Sequence, residues 1–524
     1  MADYVIAGSG INALVAAALL ARKGRKVLVL ERNPLIGGCI RTEEATVPGF
    51  THDVMATTFV LFLLSPAYAA LGKELEKRGL EFAHPEIPTG VLRPDGSSLV
   101  LRRDRAANIA AFDALSPGDG TQYAADMAAL GADAPFLFSL LGGQLWSWQM
   151  AKTVTREAWR RGPRGLSAFF GTALGSARHW LEPHYQSDLF RALLAPWVLH
   201  TGLGPESTYS GQMAKVIAFA LEAAGAPIVK GGAQSILTAF ERLIRDHGGD
   251  IRTNADVSEV IVDEAGRATG VVLSSGEKIN AAEGVICSMT PAQLYGRLLK
   301  GWAGAAPLRE ATKGFVHGKG NMQIHYALKA PPTWRDPDLS KVALLHLTPG
   351  LDGVSKAVNE AERGMLPAEP TICLGQPTAF DPSRAPDGKA ILWLQLPEAP
   401  RVIKGDAAGE IDVPADGRWT DKVREAYADR VEKMLSVHIP DFASLVLARR
   451  CYSPADLAAM NVNLVGGDPY GGACTIDQFF LWRPLRGTVN HGTPVKRLYH
   501  IGASTHPGPG LGGGSGFLLA SNLS

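Results

Sequence analysis

The stretch DYVIAGSGINA, residues 3–13, decides the fold. Its first five residues predict a short buried strand, and the glycine-rich part that follows opens a helix. Gly8 permits a tight turn, Gly10 lets the backbone approach a pyrophosphate closely, and the small Ala13 lets the helix pack on the strand. The order of strand, glycine turn and helix predicts a unit that binds a dinucleotide.

A second strand, residues 27–30, ends on Glu31. Glu31 follows the glycines by about 20 residues, where a carboxylate accepts hydrogen bonds from a ribose hydroxyl. A carboxylate there repels a 2′-phosphate, so NADP is disfavoured. A lone glycine triplet is compatible with an ordinary tight turn. The strands, the helix and Glu31 together favour a dinucleotide, but they leave FAD and NAD open.

The next residues distinguish FAD from NAD. Arg32, Gly37, Gly38, Arg41 and Thr42 have the spacing R-x(4)-G-G-x-x-R-[ST]. This spacing resembles the signature of the flavoprotein superfamily that holds amine oxidases and phytoene desaturases. The resemblance implies FAD as the cofactor, with both glycines close to it and Arg41 supporting the pyrophosphate or the nearby backbone.

The C-terminal part predicts a second wall of the same site. A strand over 498–503 enters a glycine-dense turn, and an apolar helix follows over 517–523. Glycine turns and helix N-termini offer N–H groups to a polar ring edge, here the pyrimidine edge of a flavin, where they stabilise negative charge. Gly502, Gly512 and Gly513 are therefore candidate cofactor-binding residues.

The resemblance narrows at this end. The run GASTHPGPG, residues 502–510, resembles the G-A-x-T-H-P-G-x-G ending of phytoene desaturases. Further features resemble the phytoene dehydrogenase-related branch of the superfamily, namely residues 381–386, 466–468, 471–473 and 477–484. This resemblance implies that Val257 holds the adenine through its backbone. Family members usually continue beyond the point where this chain ends.

The predicted fold class is α/β, with two interleaved domains. A Rossmann-type FAD-binding domain, similar to that of glutathione reductase, is expected from residues 1–70, 225–300 and 470–524. An α+β substrate-binding domain is expected from residues 71–224 and 301–469.

Periodicity predicts several local elements. A helix is expected over 235–247, a strand over 251–257, and a hairpin over 260–273. Runs of apolar or alternating residues over 321–328 and 390–396 predict strands of the substrate domain.

Composition excludes several classes of function. The 524 residues carry a formal net charge of +1, which gives no reason to expect a nucleic-acid partner. The five cysteines form no C-x-x-C pair, so no metal site is expected and a reducing compartment is favoured. The first strand leaves no room for a signal peptide. The longest span candidate, residues 54–64, is about half of the ~20 residues that a membrane helix needs. Cytoplasmic localisation, with peripheral membrane contact as an option, is the expectation.

An apolar cluster over residues 136–150 has three open interpretations. It can be the packing surface between helices, the wall of a substrate tunnel, or a surface that contacts a membrane and admits a lipophilic substrate. The oligomeric state is left open.

Candidate catalytic residues are few. His506 lies within the C-terminal glycine turn and has a pKa near working pH, so it is a candidate base. A histidine that only fixes the turn is the alternative. Asp477 is the second candidate, with a cap or an ion pair to Arg483 as its alternative. His200 is a candidate for the substrate cavity, and Cys39 is expected to be a packing residue.

These observations favour an FAD-dependent dehydrogenase or desaturase. Such an enzyme removes a hydride from a hydrophobic or alicyclic molecule, carotenoid-like or otherwise lipophilic, and passes electrons to oxygen or a quinone. Amine or amino-acid oxidation is the first alternative. It is disfavoured because no aromatic-cage signature stands near residue 500 and Lys496 precedes the final strand. A redox-neutral isomerase or a flavin-binding scaffold is the second alternative.

Overall fold

The computed structural model describes residues 1–523. These residues form twenty strands, which in chain order are β1 Ala2–Ala7, β2 Val27–Leu30, β3 Thr42–Glu43, β4 His52–Asp53, β5 Phe82–Ala83, β6 Ile87–Leu92, β7 Ser98–Leu101, β8 Ile228–Val229, β9 Asp250–Arg252, β10 Val257–Val262, β11 Ala268–Leu273, β12 Lys278–Ser288, β13 Gly320–Leu328, β14 Val342–Leu347, β15 Met365–Leu366, β16 Ile372–Gly375, β17 Ala390–Ala399, β18 Gly405–Asp406, β19 Val446–Tyr452 and β20 Leu498–Ile501.

The same residues form sixteen α-helices: α1 Ile11–Arg22, α2 Val60–Leu63, α3 Pro66–Glu76, α4 Arg105–Leu115, α5 Asp119–Gly142, α6 Trp148–Ala173, α7 Ala177–His184, α8 Asp188–Leu194, α9 Ser210–Ala224, α10 Gln234–Asp246, α11 Ala306–Lys313, α12 Leu351–Glu362, α13 Asp421–His438, α14 Phe442–Leu445, α15 Pro454–Met460 and α16 Gly514–Asn522.

The first large sheet contains a parallel layer in the order β20-β12-β1-β2-β9. The N-terminal half of β12 leaves this layer and pairs antiparallel with β11, which pairs with β10. Helices α1 and α10 cover one face with an almost fully apolar layer. This parallel sheet with helices against it confirms the predicted α/β, Rossmann-type fold.

The second large sheet has the order β19-β13-β17-β16-β14-β6-β7, and all its pairs are antiparallel except β14 with β6. Its outer face packs with α13 in a hydrophobic cluster. All strands of the first sheet fall within the segments predicted for FAD binding, and all strands of the second sheet fall within the substrate segments. The domain boundaries themselves stay a prediction.

Most local predictions match an observed element, but the strand predicted over 251–257 is divided. The chain breaks at Asn254, whose φ of 52° lies in the left-handed region. β9 therefore ends at Arg252, and β10 begins at Val257 in the antiparallel part of the sheet. Hydrophobic periodicity carried no sign of this turn, because the residues on both sides of it are suited to strands.

One helix differs from the sequence expectation about membrane spans. α5 has 24 residues and a mean hydropathy of 1.3, so by length and composition it is able to cross a membrane. The helix nevertheless carries Asp126, which accepts hydrogen bonds from Trp180 (2.7 Å) and Tyr185 (2.7 Å). These contacts tie α5 to the helices of the substrate domain.

Candidate active site

A cavity of about 350 Å³ lies where the two large sheets meet. Residues at the carboxyl ends of four parallel strands line it, and they are Ala7 to Gly10 after β1, Leu30 to Asn33 after β2, Ser288 to Thr290 after β12 and Gly502 to Ser504 after β20. In open α/β sheets ligands bind at this edge. The opposite wall comes from the second sheet and its neighbours.

The glycines of the first turn have separate structural reasons. Gly8 has a φ of +95°, and a Cβ there would lie 2.9 Å from the carbonyl oxygen of Ser288. A Cβ on Gly10 would meet nothing within 4 Å, although Gly10 lines the cavity. Gly8 is therefore required by the fold itself, whereas Gly10 leaves space for a ligand.

Glu31 lies on the cavity wall and organises two loops. Its Oε2 accepts hydrogen bonds from the Ser9 backbone N–H (3.1 Å) and from Ser9 Oγ (2.6 Å), and its Oε1 accepts from the Asn33 backbone N–H (2.9 Å). Ser9 Oγ in turn accepts a bond from Gly37 N–H (3.0 Å). The carboxylate thus fixes both glycine turns as well as offering an acceptor to a ribose. Ser9 was not identified from the sequence.

The charged lining residues cluster beside this acceptor. Arg32 lies 4.0 Å from Asp256, and Arg297 lies 3.2 Å from the same carboxylate. Val257, predicted to hold the adenine, lines the cavity next to them. Gly37 and Gly38 also line the cavity, and both have positive φ values, of 111° and 63°.

Arg41 and Thr42 do not reach the cavity wall. Arg41 pairs with Glu43. Thr42 Oγ1 donates to Asp53 Oδ1 (2.7 Å) and accepts from Gln234 N–H (2.9 Å), which attaches the loop to α10. Both residues support the backbone in this structure, and direct contact of Arg41 with a pyrophosphate stays a prediction.

The C-terminal glycine turn serves mainly to pack α16 on α1. A Cβ on Gly513 would lie 2.6 Å from Val15 Cγ2, and one on Gly516 would lie 1.9 Å from the Asn12 carbonyl oxygen. Asn12 Oδ1 accepts from Ser515 N–H at 3.1 Å. Gly512 and Gly513 do not line the cavity, and neither does Ala13, which packs in the core; the turn reaches the cavity instead through Gly502, Pro509, Gly510 and Leu511.

Arg483 holds this turn from behind. The buried guanidinium donates to the carbonyl oxygens of Ala503 (2.8 Å), Tyr470 (2.7 Å) and Ala473 (3.0 Å). No ion pair joins it to Asp477 among the described residues, because backbone carbonyls already take its donors. Asp477 is exposed and does not line the cavity. The structure gives Asp477 no route to a reacting atom in the cavity.

His506 also points away from the cavity. Its Nε2 donates to the Gly143 carbonyl oxygen (2.8 Å), and burial lowers its pKa to about 4. Its own carbonyl oxygen accepts from His491 Nε2 (2.9 Å). These bonds match the alternative in which His506 fixes the turn, and they correct the expectation that its ring borders the flavin.

His200 does line the cavity, and it reaches a second histidine. His200 Nε2 and His346 Nε2 lie 2.9 Å apart. Burial lowers the pKa of His200 to about 4, so the imidazole is neutral at pH 7. Cys373 brings its sulfur within 4.8 Å of these nitrogens. Metal-bound histidines normally donate their second N–H to an acceptor, and His346 Nδ1 has none among the described residues.

The remaining cavity wall was not identified from the sequence. It consists of Leu344 on β14, Trp393 and Gln395 on β17, and Tyr470 with Gly471 after α15. The only sequence signal was the family resemblance around 466–473. Asp468 accepts from the N–H groups of Gly318, Tyr470 and Gly472, each at 2.8 Å, and this fixes that loop. Cys39 lines the cavity as well, and burial raises its thiol pKa to about 11.

The fold and this cavity define an FAD-dependent oxidoreductase. The cavity lies at the carboxyl edge of the parallel sheet, carries an acceptor for ribose at Glu31 and leaves open space at Gly10. The chain belongs to the family described as flavin containing amine oxidoreductase, whose model matches residues 14–508.

Named relatives support the same class. The chain is 28% identical to pyridine nucleotide-disulfide oxidoreductase domain-containing protein 2 of Rattus norvegicus, over 98% of this chain and 92% of that protein. It is 24% identical to a limonene dehydrogenase component of Castellaniella defragrans (99% and 94% covered) and 26% identical to a zeta-carotene-forming phytoene desaturase of Myxococcus xanthus (97% and 90%).

A solved structure has the same fold. An oxidoreductase from Methanosarcina mazei superimposes with a TM-score of 0.61 at 17% identity, and 99% of both chains is covered. The architecture is therefore shared from end to end with an enzyme of low sequence similarity.

Proposed function

We propose that the protein is a dehydrogenase or desaturase that takes a hydride from an uncharged lipophilic or alicyclic molecule. The observation that carries this proposal is the distribution of charge along the cavity. Glu31, Arg32, Asp256 and Arg297 all lie at the first-sheet end. The opposite wall contains leucine, tryptophan, glutamine, tyrosine and a neutral histidine. A charged substrate group would lose its hydration there without gaining a counter-ion.

Bound FAD would supply the hydride acceptor. The residues of the chain itself bind and orient. Glu31 accepts from the ribose, the glycine turns admit the pyrophosphate, and the second-sheet wall positions the substrate so that its C–H bond meets the cofactor. Tyr470 does not take part in proton transfer, because its hydroxyl donates to the Leu199 carbonyl and burial raises its pKa well above the ordinary value.

The relatives fit this proposal. Two of them are named for hydrocarbon substrates, limonene and a phytoene. No lysine is among the residues that line the cavity in the described part of the chain. Amine oxidation therefore has less support than dehydrogenation. Oxygen or a quinone is proposed as the electron acceptor.

The test uses the purified full-length protein. We expect oxidised-flavin absorption bands, and bleaching of these bands when limonene or a related cyclic substrate is added without oxygen, with a product lighter by two hydrogens. Peroxide release over a panel of amines, with no response to the cyclic compounds, would favour amine oxidation. An isomerised product of unchanged mass and no bleaching would favour the redox-neutral alternative. Absence of flavin would overturn the proposal.

We also propose that α6 contacts the cytoplasmic surface of a membrane. Trp148 and Trp159, 75% and 91% exposed, project from one side of this helix with Lys152 and Arg156 between them. Exposed tryptophans beside cations are typical of helices that lie in the lipid interface. Of the 136–150 cluster, Phe136 and Leu137 are buried, whereas Phe138 and Trp146 are exposed; none of these four lines the cavity.

Vesicle sedimentation tests this contact. We expect binding to vesicles that contain an anionic lipid, weaker binding in high salt, and an at least fivefold loss for the double variant Trp148→Ser/Trp159→Ser. Val437→Ser removes an apolar side chain that is 68% exposed on α13 and serves as the control. Equal sedimentation of the double variant and the wild type would rule out this surface.

A further inference from the structure

The histidine pair on the cavity wall has a defined proton arrangement. His346 is fully buried, and its Nδ1 has no hydrogen-bond partner among the described residues. A buried N–H without an acceptor is rarer and costlier than an unused lone pair. The hydrogen-bond network therefore assigns the His346 proton to Nε2, where it is donated to His200 Nε2 at 2.9 Å.

This arrangement decides what His200 shows to the cavity. Since its Nε2 accepts from His346, the proton of neutral His200 resides on Nδ1. His200 Nδ1 has no partner in the described chain and is not among the buried unpaired atoms. The cavity wall thus carries an unused N–H donor, held in place by His346 and by the ring of Trp197, whose centroid lies 4.5 Å away.

A second unused polar group belongs to the same wall. Gln395 lines the cavity and makes no side-chain hydrogen bond within residues 1–523. It stands in a row of directly opposed residues across the sheet, from Gln323 on β13 through Gln395 to Cys373 on β16 and His346 on β14. Gln323 is fully buried, and neither of its amide atoms has a partner in that range. The cavity face of this sheet is polar but uncharged.

From these contacts we infer that His200 and Gln395 form a subsite for a neutral oxygen acceptor, and that the substrate carries a carbonyl group at this point. This inference rests on the proposed dehydrogenation and narrows its substrate class from lipophilic molecules to oxygenated ones. A carboxylate is disfavoured because this wall holds no arginine or lysine among its described lining residues. A hydrocarbon would leave both polar groups unpaired.

The subsite has a chemical consequence for dehydrogenation next to a carbonyl. One hydrogen leaves the β carbon as a hydride to the bound cofactor, the other leaves the α carbon as a proton to water, and a C=C bond forms between the two carbons. Negative charge develops on the carbonyl oxygen as the α proton leaves. Donors fixed at that oxygen stabilise the charge.

Carvone and limonene test the subsite, because they share a ring skeleton and differ in the carbonyl group. The measurement is the dissociation constant of each compound for the holoprotein, from the perturbation of the flavin absorption bands. We expect carvone to bind at least tenfold more tightly than limonene. We expect the ratio to fall below threefold in Gln395→Met and in His200→Phe. The exposed Gln186→Leu is the matched control and keeps the wild-type ratio.

The outcomes separate the subsite from the proposed function. Equal affinities in the wild type, or an unchanged ratio in both variants, would overturn the subsite. His200→Phe also removes the acceptor of His346, so Gln395→Met provides an independent check if the first variant is unstable. Preferential carvone binding without flavin bleaching by any compound would leave the subsite standing and would overturn dehydrogenation.

Discussion

Replacement of Gly10 by alanine is expected to weaken FAD binding at least 100-fold without destabilising the protein. The Cβ would meet nothing within 4 Å in the folded chain, and Gly10 has a φ of −63°, which any residue adopts. The new methyl group therefore costs the fold nothing but occupies space that the pyrophosphate needs. A 100-fold loss corresponds to about 2.8 kcal/mol, since each factor of ten is about 1.4 kcal/mol.

The measurement is titration of the apoprotein with FAD, together with its thermal midpoint. Gly171→Ala is the matched control, because a Cβ there also meets nothing within 4 Å but lies on α6 away from the cavity. We expect the control to bind FAD normally and both apoproteins to unfold near the wild-type temperature. Wild-type FAD affinity in Gly10→Ala would mean that the pyrophosphate does not pass this glycine.

Arg384→Met is expected to destabilise the protein by about 3–5 kcal/mol, the usual cost of removing one partner from a buried ion pair. Arg384 is fully buried, and its Nη1 lies 2.6 Å from Asp53 while its Nε lies 3.1 Å from Asp381. Its Nη2 donates to the Val229 carbonyl oxygen at 2.6 Å. The variant would leave two carboxylates without their cation, and methionine supplies similar volume but no donor.

Denaturant unfolding measures this loss, and the loss should shrink at acidic pH. Burial raises the pKa of Asp381, but hydrogen bonds from Ser383, Gly231 and Arg384 outweigh it, so the folded pKa lies below the ordinary value. This stabilisation is present above the unfolded pKa and disappears as pH falls through the folded pKa. The wild type therefore loses stability in acid faster than the variant does.

Arg418→Met is the control for Arg384→Met. Arg418 is 81% exposed and pairs only with Asp416 among the described residues, so stability close to that of the wild type is expected. A similar loss in both variants, or no loss in Arg384→Met, would show that the buried pair does not hold the loop at residues 381–386 to the first sheet.

The cofactor half of the site was largely predictable from the sequence because its signals are local. Gly8, Gly10 and Glu31 lie within one strand-helix-strand unit, and each has a fixed distance from the turn that positions it. Gly37, Gly38 and Val257 were predicted by family resemblance, and the structure places all three on the cavity wall. These residues need little beyond the direction of the chain at the strand ends.

Predictions for the glycine turn at the C-terminus were less accurate. The turn and α16 were expected, but the direction of the His506 ring depends on the Gly143 carbonyl, 363 residues away. Gly512 and Gly513 likewise have their reason in α1, which α16 contacts closely. A sequence motif shows that glycine is needed, but not whether a ligand or a helix occupies the space.

The sequence by itself determined the fold class, the cofactor and the edge of the sheet where the cofactor binds, because strand ends, glycine turns and an acidic residue act over short distances. Only the tertiary structure decided which side chains form the opposite wall. His200, His346 and Gln395 come from separate segments, and alternation in a strand does not show which face meets the cavity. The register between β14, β16 and β17 places them together, and this register depends on how the whole sheet packs.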